Sequence, residues 1–475
     1  MIPTTLADVA AATGGTLGGG ADPTAVVTGA VEVDSRRDLT DGLFVALPGE
    51  RADGHDFAAS AVRAGAVAAL TTRPLDGVPC VVVDDAQRAL GALATAVLAR
   101  SSALVAGMTG SSGKTTTKDL LAAVLATAGE TVAPVGSFNN EVGLPLTVLR
   151  TTPTTRHLVL EYSARGVGHI ATLCALAPPR LAAVLNVGSS HLGEFGSREA
   201  IAQAKGELVE ALPADGVAVL NGDDPLVAAM ASRTAARVVT TGEGSGRDVR
   251  ATGVRLDDAG RPSYRLVVSD AVRGGAVAGE AEVALRLHGE HQVANSLAAA
   301  ALALEAGLDL PAVAAALSGA GAASRWRMEV SERADGVVVV NDAYNANPES
   351  VRAALKALAV MARGRRSVAV LGPMLELGEA SDDEHDAIGR LAVRLDVDRL
   401  VVVGETAKRM HAGAVLEGSW GEESVHVPDA DAAVAHLRGV LRPGDVVLVK
   451  ASRSARFERI ADALLADVPA AGGPA

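Results

Sequence analysis

A three-domain α/β architecture is predicted for this chain by three observations. Short apolar runs alternate with helical stretches through most of its 475 residues, the pattern of parallel sheets with crossover helices. A glycine-rich loop stands between the apolar run Ala103–Met108 and an Ala/Leu-rich helical stretch, the order of a phosphate-binding strand, loop and helix. After Ala323 a fresh series of strand candidates begins, which sets the last part of the chain apart. The expected division is a small α/β N-terminal domain over 1–100 and a central P-loop-type doubly wound parallel sheet over 101–322. A Rossmann-like C-terminal domain is expected over 323–475.

In the first unit, Leu43–Leu47, Ala66–Leu70 and Cys80–Val83 read as strands among the helices Thr5–Ala12, Asp56–Ala64 and Gln87–Ala99. In the second, the strand before the loop is followed by Leu158–Glu161, Ala182–Val187, Val217–Asn221 and Val238–Thr240. Between 249 and 287 the pattern becomes apolar–polar alternation, which predicts antiparallel ribbon. Asn295–Ala306 is one strong helix. The third unit offers Val337–Val340, Ser367–Leu371, Arg399–Val403 and Asp445–Lys450, and so a second parallel sheet.

Composition limits the function. A net charge of −13 argues against a nucleic-acid surface, which needs clustered Lys and Arg. Two cysteines make no disulfide framework. No basic segment precedes an apolar one and no long apolar span is present, so a cytoplasmic protein without membrane insertion is expected.

The loop Thr109-Gly110-Ser111-Ser112-Gly113-Lys114-Thr115 carries the clearest chemistry. Its backbone N–H groups and the helix N-terminus suit phosphates, Lys114 suits the terminal phosphates and the Thr115 hydroxyl suits magnesium. The spacing departs from the general rule: Met108 stands where a first glycine is expected, and glycines recur as Gly107, Gly110 and Gly113.

Other residues gather at predicted strand ends, where ligands of open α/β sheets collect. Glu161 is either a metal ligand or a solvated strand end, and His191, in a Gly/Ser-rich loop, is either a ligand or a packed histidine. With Thr115 they make an oxygen-plus-imidazole set that suits Mg²⁺ or Mn²⁺ better than zinc. Lys205, taken alone, reads as a surface lysine. Asn295 either contacts an adenine edge or packs at a helix start. Arg327 precedes the third unit, and Asp342, in Asn341-Asp-Ala-Tyr-Asn-Ala-Asn-Pro348, exceeds what a turn needs and suits a ribose hydroxyl pair. Ser35 and Arg36 suit an anionic group such as a diphosphate.

Taken in order, these segments resemble the Mur ligase family through nearly the whole length. The marks are Asp34-Ser-Arg with Gly49-Glu-Arg-Ala-Asp-Gly-His-Asp-Phe57; Thr109-Gly-Ser-Ser-Gly-Lys-Thr-Thr-Thr-Lys118; Ser137-Phe-Asn-Asn-Glu-Val-Gly-Leu-Pro-Leu-Thr147; Ala164-Arg-Gly-Val-Gly-His-Ile170; His191 with Ala204-Lys-Gly-Glu207; and Asp342–Pro348. The unusual loop spacing is this family's own.

The resemblance implies an ATP-dependent amide ligase. Its Phe-Asn-Asn-Glu and Ala-Arg-Gly-Val-Gly-His-Ile segments favour the member that joins D-alanyl-D-alanine to a UDP-MurNAc-tripeptide through an acyl phosphate. It further implies that Thr115, Glu161 and His191 surround the metals. Lys205 would carry a carbamate that also binds metal, and Lys114 would be catalytic beside them. Asn295, Arg327 and Asp342 would contact nucleotide, and Ser35, Arg36, Asn139 and Asn140 the peptide-carrying substrate. A monomer is expected. The chain departs from the family pattern at Tyr162-Ser163, Pro373 and Ala451. A related ligase of the folylpolyglutamate synthase-like branch should lack Asp34-Ser-Arg, and a non-catalytic homologue should have lost one of Lys114, Glu161, His191 or Lys205; all are present.

Overall fold

The computed structural model describes residues 1–49, 52–189 and 192–466. His191, Glu50 and Arg51 therefore lie outside the described residues, although the sequence singled them out.

Each unit is built on its own sheet. In the first, Val31–Glu32, Leu43–Val45, Ala68–Thr71 and Cys80–Val82 run parallel, and Thr16–Gly18 closes one edge antiparallel. Among the described residues the central sheet has nine strands. Thr131–Val132, His157–Glu161, Leu104–Thr109, Leu181–Val184, Val217–Asn221 and Arg237–Gly242 lie side by side and parallel. The predicted ribbon does not stand apart from this sheet. Val249–Leu256 pairs parallel with Arg237–Gly242 over two positions, and Pro262–Val268 and Gly279–Ala284 continue antiparallel.

Chain order reverses at Leu104–Thr109, which has His157–Glu161 on one side and Leu181–Val184 on the other. A crevice opens beyond the carboxyl ends of strands at such a switch point, and the glycine loop leaves from there. Helix Lys114–Ala126 and the largely buried helix Gln292–Glu305 cover one face through Leu121, Leu125, Leu297 and Leu304.

The third sheet runs Glu329–Glu332, Val338–Asn341, Val446–Lys450, Ser367–Leu371, Arg399–Val403, Ser424–Val427, parallel except for its first strand. No helix among the described residues is long and apolar enough to cross a membrane.

Gly107 corrects the reading of the loop. It lies inside the strand, not in the phosphate turn. A Cβ there would stand 2.6 Å from the Tyr162 ring, whose hydroxyl donates to the Ala177 carbonyl at 2.5 Å. Gly107 thus makes room for Tyr162, which is fully buried. Gly107→Ala should destabilise the fold by about 1–3 kcal/mol through overpacking, read as a lowered denaturation midpoint; an unchanged midpoint would contradict the packing role.

Candidate active site

The helix Lys114–Ala126 starts without a side-chain cap. Its first backbone N–H groups face a cavity of about 850 Å³ between the central and C-terminal units. An uncapped, positively polarised helix end is a site for phosphate. Gly113 precedes it at φ +81°, in the left-handed region, and an added Cβ would lie 2.2 Å from Asn295 Oδ1. Only glycine lets the loop turn here and lets Asn295 close on it. The loop is braced from behind: Ser112 N donates to Asn186 Oδ1 at 3.0 Å, and Gly188 N to Ser111 Oγ at 2.9 Å.

Lys114 Nζ donates to the Gly110 carbonyl at 2.6 Å, across its own loop. Burial pushes its ammonium pKa down; the Glu161 carboxylate pulls it up and Arg327 opposes that. The Thr115 hydroxyl lies 3.0 Å from that of Ser137, to which Arg327 also donates at 3.0 Å. Glu161, the last residue of its strand, is wholly buried. Its Oε2 receives only a 3.4 Å bond from Asn139, and its Oε1 has no partner. A buried carboxylate with an unmatched oxygen is costly unless a cation meets it. With the Thr115 hydroxyl beside the loop, the donors are hard oxygens, the set a magnesium-like ion takes.

Lys205, on helix Arg198–Glu210, is 4% exposed, so it is no surface lysine. Burial drives its pKa far down, and the charge of Lys114 drives it further. Two residues on, Glu207 caps helix His169–Leu176 by accepting from Gly168 N and Ala171 N, which anchors the lysine's helix.

From the other side, Arg327 stacks 4.1 Å from the Tyr344 ring centre, and its Nε is buried without a partner. The Asp342 carboxylate accepts from Met328 N at 3.0 Å and pairs with Lys450. The Asn295 amide donates to Gln292 at 2.8 Å, and Asn140 Oδ1 caps helix Gly143–Val148 by accepting from Gly143 N at 2.8 Å. The cavity wall thus unites Ser111, Ser112, Gly113, Lys114, Thr115 and Glu161 with Asn139, Asn140, Asn295, Arg327 and Asp342. Thr109 and Gly110 stand just behind it. Ser35 and Arg36 lie apart in the first unit, where Arg36 pairs with Asp34 at 2.7 Å.

Sequence reasoning passed over His291, which borders this cavity. Burial lowers its pKa to about 4, with Asp342 pulling up and Lys450 pushing down. An unfolded histidine takes up its proton near 6.5, so between those values the unfolded chain binds more protons. Stability should fall as pH drops from 6.5 to 4, by about 2 kcal/mol, less than the full shift because the ring borders open space. Denaturant titrations across that range should show a shallower fall in His291→Gln; identical slopes would contradict this.

Comparison with known proteins agrees with this geometry. Residues 29–97 match the Mur ligase family catalytic domain, 108–303 the Mur ligase middle domain, and 326–453 the Mur ligase glutamate ligase domain. The chain is 53% identical to the UDP-N-acetylmuramoyl-tripeptide–D-alanyl-D-alanine ligase of Mycobacterium tuberculosis, over 98% of each. It is 38% identical to the Escherichia coli enzyme of that name, over 92% of this chain and 93% of the other. Among solved structures, MurF from Acinetobacter baumannii superposes with a TM-score of 0.86 at 30% identity, covering 98% of this chain and 99% of that one. MurF from Thermotoga maritima in complex with ADP gives 0.77 at 30% identity, covering 93% and 98%. With all three parts matched in order and identity sustained over nearly the full length, the chain belongs to the Mur ligase family.

Proposed function

We infer that this protein is an ATP-dependent ligase that adds D-alanyl-D-alanine to UDP-N-acetylmuramoyl-tripeptide in peptidoglycan precursor synthesis. Relatives named as UDP-N-acetylmuramoyl-tripeptide–D-alanyl-D-alanine ligases match it over 98% and 93% of their own length. The observation that carries the chemistry is the convergence, on one cavity, of an uncapped helix N-terminus, Lys114 and a buried carboxylate with an unmatched oxygen.

A carboxylate is a poor electrophile, so its oxygen first attacks the γ-phosphorus of ATP, and ADP leaves. The amine of the dipeptide then attacks the acyl phosphate, and inorganic phosphate departs with the electron pair. The first step brings anions together. Lys114 and the helix N-terminus hold the phosphates and offset their charge, and Arg327 meets them from the C-terminal side. Mg²⁺, or Mn²⁺, held by Thr115, Glu161 and His191, would neutralise phosphate charge when bound. Lys205 is suited to a carbamate: burial beside Lys114 favours its neutral amine, which is the form that captures carbon dioxide, and the product is an anion that offsets the Lys114 charge. Asn295 and Asp342 position the nucleotide, while Ser35, Arg36, Asn139 and Asn140 serve the UDP-linked substrate.

In this reading residues 1–100 bind the UDP-MurNAc-peptide, 101–322 bind ATP and 323–475 close over both, in a cytoplasmic monomer with no nucleic-acid partner. The test is phosphate release with ATP, magnesium and both substrates. Release should stop when D-alanyl-D-alanine is omitted; turnover indifferent to the dipeptide would overturn the assignment.

A further inference from the structure

The three units are joined unequally. Leu90, Leu93 and Val97 of helix Ala86–Leu98, in the first unit, lie in the same buried cluster as Leu158, Leu160 and Leu173 of the central one. The C-terminal unit has two cores of its own. Around the phosphate loop it meets the central unit through polar contacts, a joint that moves by default unless something holds it. The connecting segment contains Trp326 at φ +60° and Met328 at φ +50°, disfavoured conformations that persist only where the surroundings hold them.

The hold lies in the first turn of helix Pro348–Met361. Asn347 Nδ2 donates to the Ser111 carbonyl of the glycine loop at 3.3 Å. Glu349 reaches further. Its Oε1 accepts from Ser189 N at 2.9 Å and from Ser189 Oγ at 3.0 Å. Ser189 is 5% exposed and Glu349 half-buried, so the contact is partly sheltered from water. An added Cβ on Gly188 would lie 2.6 Å from the Glu349 carboxyl carbon, so the missing side chain is what admits the carboxylate. Gly188 N in turn donates to Ser111 Oγ, which ties this strand-end loop to the glycine loop.

We propose that Glu349 is a positioning residue for the ligase reaction: by clasping Ser189 it holds the C-terminal domain closed on the phosphate loop, which keeps Arg327 at the nucleotide cavity. This rests on the ligase reading above. Loss of the clasp lowers the closed fraction, and the apparent affinity for a ligand that needs both domains falls in proportion.

The experiment compares full-length wild type, Glu349→Ala, Glu349→Gln and Ser189→Ala by steady-state kinetics and by small-angle X-ray scattering without substrates. Glu349→Ala should raise KM for ATP about tenfold with kcat nearly unchanged, and should enlarge the radius of gyration. Glu349→Gln keeps an acceptor oxygen for Ser189 and should stay close to wild type in both. Ser189→Ala keeps its backbone N–H, loses the hydroxyl and should fall between, which preserves the test if Glu349→Ala does not fold. Unchanged KM and scattering in Glu349→Ala, or Glu349→Gln as impaired as Glu349→Ala, would overturn the proposal. Scattering needs no turnover, so a wild type without ligase activity would refute the ligase reading while the clasp was still decided by the radius of gyration.

Discussion

Lys114→Ala is expected to lower kcat by about a hundredfold to a thousandfold, the scale seen when a group aimed at developing transition-state charge is removed. Lys114 opens the helix that begins at the cavity, and its ammonium is held between the Gly110 carbonyl and the field of Glu161. Because burial already lowers its pKa, the charge is retained through local partners rather than solvent. Lys114→Arg keeps a cation but not a compact one, and the wider, planar guanidinium does not replace a point charge inside a tight loop. Activity should therefore not recover in Lys114→Arg. The protein should still fold, because the loop is braced by Asn186 and Gly188 rather than by this side chain. Initial rates beside a thermal melt check this; a well-folded Lys114→Ala enzyme within tenfold of wild type would remove Lys114 from the chemistry.

Lys205→Ala should cost about a hundredfold in kcat, the upper end of what loss of a metal-orienting group does. Its distinguishing feature is rescue. If the residue acts as a carbamate, a short-chain carboxylic acid added to Lys205→Ala should restore part of the activity by supplying an anion in the vacated space, and it should do nothing for Lys114→Ala. A lysine acting only as a buried cation would be rescued by small amines instead. Rates measured with acetate, propionate and ethylamine separate the two. Rescue by the amine alone, or full activity without additive, would contradict the carbamate role.

Much of this architecture is visible in the chain itself, and the failures have physical causes. Buried parallel strands such as Val217–Asn221, Ser367–Leu371 and Arg399–Val403 are apolar but for one terminal residue each, and they fall where the pattern puts them. The strands that escape notice lie at edges. Thr131–Val132 is two residues long, and Glu329–Glu332 and Ser424–Val427 carry polar residues because one side meets solvent. The ribbon is recognised by its alternation, but alternation says nothing about the neighbour, so its continuity with the central sheet is not legible.

At the site, the loop, Glu161 and Asp342 stand out because polar residues directly after apolar runs are unusual. Lys205 does not. Its burial beside Lys114 depends on how helix Arg198–Glu210 packs, and a lysine in a mixed helix carries no mark of that. Gly107 misleads for the opposite reason: spacing groups it with Gly110 and Gly113, whereas the Tyr162 ring decides its role. Tyr162, one departure from the family pattern, is thereby explained as packing. Pro373, another, accepts at its carbonyl oxygen from Ser452 N at 3.0 Å, a backbone contact that makes no demand on its side chain.

The central claim is that the tripeptide carboxylate is activated by phosphorylation at this cavity. It is tested most directly by labelling that carboxylate with ¹⁸O and following the released phosphate. The account predicts that one labelled oxygen appears in inorganic phosphate for each amide bond formed, because the acyl-phosphate bridge oxygen leaves with phosphorus. Phosphate released without the label, in a reaction that still forms the amide, would contradict it.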